Sequence, residues 1–156
     1  MNKAEKPFDK LRANGMGGTM SLDSLDDVYA DYELLEADDR YRLLIDLGRA
    51  LEPMPDALKT DATLVRGCSA AVWVYPVPQA DGRLHFLADS NAAITKGIVA
   101  LVLLAVQDRT PEQIVALDIE GELARFELGR QLSSNRTQGI PNMIALIRDT
   151  ADRLAA

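Results

Sequence analysis

The sequence predicts an α+β domain in which a small antiparallel sheet of about three strands packs against helices. Three observations lead there. Apolar residues recur at helical spacing near both ends, residues 61–88 are rich in β-branched and aromatic side chains, and Asp81-Gly82 supplies a turn within that stretch. With 156 residues, 47% of them hydrophobic and 26% charged, the chain can bury a core as one domain over residues 21–156.

Residues 1–20 are expected to form a disordered extension. They carry Lys3, Lys6, Lys10 and Arg12 against Glu5 and Asp9, a net of +2, so the rest of the chain stands at −9 within a total of −7. Gly15, Gly17 and Gly18 break any helix there, and with no apolar central stretch the segment does not read as a secretory signal. Met16 and Met20 are alternative starts.

From Ser21, Leu25, Val28, Tyr29 and Tyr32 share one helical face, with Asp23, Asp26, Asp27 and Asp31 on the other. A second helix is expected after N-caps at Asp38 or Asp39, with Tyr41, Leu44, Leu47, Gly48 and Leu51 in one stripe and Pro53 and Pro55 ending it. The two are expected to pair as a hairpin. Strands follow at Leu64-Val65, at 71–77 and at 83–88, the last alternating Leu84 and Phe86 against Arg83 and His85. Asp89 or Ser90 then caps a helix over 92–107. Thr110-Pro111-Glu112 starts another, a third covers 119–128, and a last helix presents Ile140, Met143, Ile144 and Ile147 on one side.

Charge and cysteine count narrow the function. A net charge of −7 disfavours nucleic acid or an anionic membrane as partner, because phosphate binding rests on clustered Lys and Arg. One cysteine forms no intramolecular disulfide, and one histidine beside it makes no zinc site, so a reducing cytoplasm is the expected compartment and no metal is expected. The longest apolar run, 97–106, falls short of the roughly 20 residues that span a bilayer. A phosphate loop and a dinucleotide glycine fingerprint are both absent.

Cys68 is the residue with chemistry to offer. Gly67 before it permits a tight or left-handed turn, and the small neighbours leave the sulfur open. Lone cysteines beside strands more often serve as small buried hydrophobes, so the local sequence leaves both roles open. A reactive Cys68 needs its thiolate, which a cation such as neighbouring Arg66, or Arg136 if the fold delivers it, would favour. A cysteine hydrolase would need His85 as its base, but the strand period places that histidine on an exposed face.

Five stretches taken together resemble the SufE/CsdE family of sulfur-acceptor proteins: YRLLIDLGRAL at 41–51, VRGCSAAVW at 65–73, DSNAAITKG at 89–97, TPEQI at 110–114 and LSSNRTQG at 132–139. The resemblance covers 21–154 and implies an α+β fold shared with IscU-like scaffolds. It implies that Cys68 accepts persulfide sulfur from a SufS- or CsdA-type cysteine desulfurase, stimulates that enzyme and passes sulfur to a SufB-type cluster scaffold. The chain would then be an accessory protein rather than an enzyme and hold no cofactor, pyridoxal phosphate belonging to the desulfurase. Asp89 and Arg136 fall at positions that the resemblance associates with the cysteine's surroundings or with docking. Many members carry a polar residue, often Ser followed by Gln, where this chain has Ala70 and Ala71, which removes any side-chain hydrogen bond made there. A non-covalent regulator of the desulfurase is the alternative, and the sequence leaves homodimer formation open.

Overall fold

The structure is a computed structural model that describes residues 22–67, 70–128 and 139–155. The extension expected over 1–20 lies outside the described residues. The α+β class is as the sequence predicts. In chain order the elements are α1 (Leu22–Tyr32), α2 (Ala37–Arg49), a 3-10 turn (Asp56–Leu58), β1 (Val72–Pro78), β2 (Leu84–Ser90), α3 (Ala93–Val106), α4 (Pro111–Ala116), α5 (Ile119–Ala124) and α6 (Ile140–Ala155).

The core is organised around α3. Its sequence is apolar on every side, so it must be covered all round, and 12 of its 14 residues are buried. It packs against α2, β2, α1 and α5. Each Leu or Ile so buried contributes about 1.5–3 kcal/mol. Contact with α2 is closest where Gly48 and Gly97 meet. A Cβ on Gly48 would lie 2.9 Å from the Gly97 nitrogen, and one on Gly97 would run into the Leu44 carbonyl.

Helices α1 and α2 do not form the expected hairpin; each takes α3 as its principal packing partner. On α2 the buried stripe is Leu43, Leu44, Leu47 and Gly48, while Tyr41 is 48% exposed. The helix begins ahead of Asp38 and Asp39, with Glu36 at the N-cap and no side-chain cap. Both aspartates sit in the first turn, where they suit the helix dipole.

Among the described residues two strands form, β1 and β2, antiparallel with Val72 opposite Ser90 and Pro78 opposite Leu84. The third expected strand reduces to one bridge, Leu64 with Trp73, because hydrogen bonds of the Thr63 hydroxyl hold the chain in a turn before it and Arg66-Gly67 turn it after. Val74 donates its N–H to Thr63, so the N–H groups on that side of β1 face away from β2. Pro76 and Pro78 continue that outward register and have no N–H to offer, which blunts the edge. The far edge of β2 is closed by Leu84 pairing with Asp108 and Arg109, and by the Gln107 side chain, which bonds both polar backbone atoms of Phe86 at 2.7 Å.

The Asp81-Gly82 turn forms as read, with Gly82 at φ +88°. Thr110 makes a full capping box with Gln113 behind Pro111. Strand β2 runs on to Ser90, so the expected caps at Asp89 and Ser90 are strand residues; α3 starts after Ala92 without a side-chain cap. The helix expected over 119–128 stops at Ala124, with Glu127 left-handed at φ +51° soon after. On α6 the predicted Ile140, Met143, Ile144 and Ile147 are buried.

Candidate functional site

Cys68 and Arg136 lie outside the described residues, so the site is built from the segments that lead into and out of residue 68. Before it, Val65 donates its N–H to the Val72 carbonyl at 2.8 Å, and Leu64 bridges Trp73. The chain therefore enters and leaves the Cys68 connection as a pinned antiparallel pair. Gly67 has φ +101°, so of the tight and left-handed turns that a glycine permits here the chain takes the left-handed one. The Nδ2 of Asn142, in the first turn of α6, donates to the Arg66 carbonyl at 2.8 Å. That amide stands 2.6 Å from where a Cβ on Gly67 would be, so a larger residue would have to push the amide off the Arg66 carbonyl as well as hold the positive φ. The Arg66 side chain is exposed.

After residue 68, Ala70 is buried at 8% exposure, and Ala71 is held at both backbone groups by Asn91. The Asn91 Oδ1 accepts from the Ala71 N–H at 3.0 Å, and the Asn91 N–H donates to the Ala71 carbonyl at 3.3 Å. Ala71, which has no polar side chain of its own, is thus anchored through its backbone by Asn91.

Asp89 pairs with Trp73 across the sheet and is far from the helix-capping role its sequence position suggested. Its carboxylate accepts from Lys59 at 2.6 Å and from Lys96 at 3.1 Å, while its Oδ1 also takes the Ser90 N–H. Burial works against the charge, but these donors overcome it and hold Asp89 below its usual carboxylate range. Lys59 also stands 5.6 Å over the Trp73 ring. The result is a compact Lys59-Asp89-Lys96 cluster on the strand that neighbours the base of the Cys68 connection.

His85 departs from the expected exposed residue. Its side chain is 23% exposed, and both ring nitrogens contact carboxylates, Nε2 with Glu52 at 2.6 Å and Nδ1 with Asp108 at 2.9 Å. Burial disfavours the imidazolium, yet the two carboxylate hydrogen bonds prevail and raise the histidine above its ordinary value. Both nitrogens are thereby occupied, which leaves none to serve as a base.

Three residues that matter here were missed from sequence: Asn91, Asn142 and Lys59. Asn91 lies inside the 89–97 stretch already singled out, so its polar side chain at a strand end was a signal. Lys59 and Asn142 gave none, because their partners are 30 and 76 residues away. Among the described residues there is no group of three His, Cys, Asp or Glu side chains that could hold a metal, and no helix long and apolar enough to cross a membrane.

The family model SufE, described as an Fe-S metabolism associated domain, matches residues 26–151. A solved structure described as the solution structure of a hypothetical protein from Thermus thermophilus superposes with a TM-score of 0.68 at 14% identity, over 84% of this chain and 95% of that one. The second likeness is one of fold.

Proposed function

The chain belongs to the SufE family of Fe-S metabolism associated domains, and from that premise we propose that it carries sulfur as a persulfide on Cys68 between a cysteine desulfurase and a cluster scaffold. The observation that carries this reading is the anchoring on either side of Cys68, the one cysteine in 156 residues. Asn142 holds the carbonyl two residues before it and Asn91 holds the backbone three residues after it, so both ends of the connection that bears the single thiol are tied to neighbouring elements.

In the first step the Cys68 thiolate attacks the outer sulfur of the donor persulfide. The donor's S–S bond breaks, its cysteine leaves as a thiolate, and Cys68 retains the S–SH group with no net change in oxidation state. An acceptor thiol empties Cys68 by the same exchange. Gly67 supplies the turn, Arg66 and Arg136 favour the thiolate, and Asp89 contributes to the surroundings of the site or to docking. The donor is a SufS- or CsdA-type desulfurase that keeps its own pyridoxal phosphate, the recipient is a SufB-type scaffold, and the exchange takes place in the cytoplasm.

The test is incubation with desulfurase, cysteine and pyridoxal phosphate, followed by intact mass. Wild type should gain sulfur that a reductant removes, and Cys68→Ser should gain none and lose the stimulation of the desulfurase. Stimulation that survives Cys68→Ser would mark the chain as a non-covalent regulator and end the carrier reading.

A further inference from the structure

Between α2 and the Leu64 bridge, the chain crosses the outer face of β2. On that strand Leu84, Phe86, Ala88 and Ser90 turn inward and are buried, while His85, Leu87 and Asp89 alternate with them on the other side. Residues 52–59 are fastened to this outer row at two points: Glu52 to His85 and Lys59 to Asp89. Between these points lie Pro53 and Pro55, the 3-10 turn, and Met54, whose burial to 5% exposure is matched by no other side chain in the segment. A strap with so little apolar burial depends on its polar fastenings.

The His85 fastening has a particular chemistry. A neutral imidazole has one N–H donor and one lone-pair acceptor, so it cannot donate to two carboxylates. The imidazolium, with an N–H on each nitrogen, satisfies both observed contacts at once, Nδ1 with Asp108 and Nε2 with Glu52, and the neutral ring satisfies only one of two ionised carboxylates. The two carboxylates are not equal. Asp108 is 21% exposed and fixed by a left-handed backbone at φ +58°, with its carbonyl accepting from Arg83, whereas Glu52 is 58% exposed and sits on the strap. The charged groups around His85 are thus Glu52 from the strap, Asp108 from the connection after α3 and Arg83 from the turn just before β2; Val77 opposite it on β1 is uncharged.

We propose that His85 is a proton-dependent clasp that holds the Glu52 end of the 52–59 strap against β2 and releases that end on deprotonation, while Lys59 stays with Asp89. When the ring loses a proton, the remaining N–H stays with Asp108, the Nε2 lone pair faces the Glu52 carboxylate, and the more exposed partner swings away. The direction agrees with the raised histidine: the contribution is complete below about pH 6.5, the ordinary value, and is lost as pH rises through the folded-state value. The device does not depend on the role given to Cys68.

Hydrogen exchange of the full chain, read by mass spectrometry on peptides covering 51–63, tests it between about pH 6 and pH 9, values that bracket histidine titration. After correction for intrinsic exchange, wild-type strap amides should exchange roughly tenfold faster at the upper pH, the size of one charge-assisted hydrogen bond. Residues 93–106 of α3 should keep their protection throughout. In Glu52→Gln the amide can accept from or donate to the ring, so the step should vanish; His85→Gln should abolish it as well. A wild-type strap with no pH step, a step retained in both variants, or a step shared equally by α3 would each overturn the proposal.

Discussion

The side-chain amide of Asn142 donates to the carbonyl of Arg66 at 2.8 Å, joining the first turn of α6 to the residue two before Cys68. Asn142→Ala removes this tie. Stability should fall by about 1 kcal/mol, the usual worth of one hydrogen bond, and Cys68 should be alkylated faster than in wild type. Urea unfolding and timed iodoacetamide labelling give the two values, and a labelling rate unchanged by the substitution would separate Asn142 from the presentation of the thiol.

Gly67→Ala should cost more, because two penalties add. The alanine must hold φ near +101°, which costs about 1–2 kcal/mol, and its Cβ must displace the Asn142 amide. In the double variant with Asn142→Ala the second penalty disappears, so the Gly67→Ala loss should shrink. Equal losses in both backgrounds would show that the dihedral alone demands glycine.

Asp89→Asn leaves Lys59 and Lys96 facing one another without an anion between them. Because Asp89 lies below its ordinary value when folded, the stability from its charge is present above about pH 4, the unfolded value, and fades as pH falls through the folded one. Urea midpoints of variant and wild type should therefore differ most at neutral pH and converge in acid. A gap that stays constant with pH would mean that the carboxylate's charge is not what the cluster uses.

Gln107→Leu keeps the volume and deletes the amide that bonds both the N–H and the carbonyl of Phe86. These backbone groups are buried and lose their partners at the sheet edge, so the expected loss is about 2–4 kcal/mol, seen in thermal or urea unfolding. A loss below about 1 kcal/mol, the range of an ordinary exposed substitution, would mean that water replaces the amide.

Gly97→Ala places a methyl group against the Leu44 carbonyl at the α2–α3 crossing. Backbone cannot yield there as a side chain would, and a loss of about 3 kcal/mol or more is expected in unfolding measurements, at the upper end for overpacking. The same change at Gly82, which has nothing within 4 Å of its Cβ position, should cost only the strain of its positive φ.

The helices with strong apolar periodicity, the Asp81-Gly82 turn, the helix start at Thr110-Pro111 and the positive φ open to Gly67 were legible in the sequence, because each is settled by interactions within a few residues. The family was legible there too, through motifs spread along the chain in order. It took the packed chain to stop the Leu64 segment at one bridge, to give Asp89 two lysines instead of a helix to cap, and to set His85 between Glu52 and Asp108. One cause underlies all three. Hydrophobic period fixes which face of an element turns inward, but the partner of a polar side chain is set by which distant segment the packed core brings beside it. Lys59 meets Asp89 across 30 residues and Asn142 meets Arg66 across 76, and no local pattern encodes such a meeting.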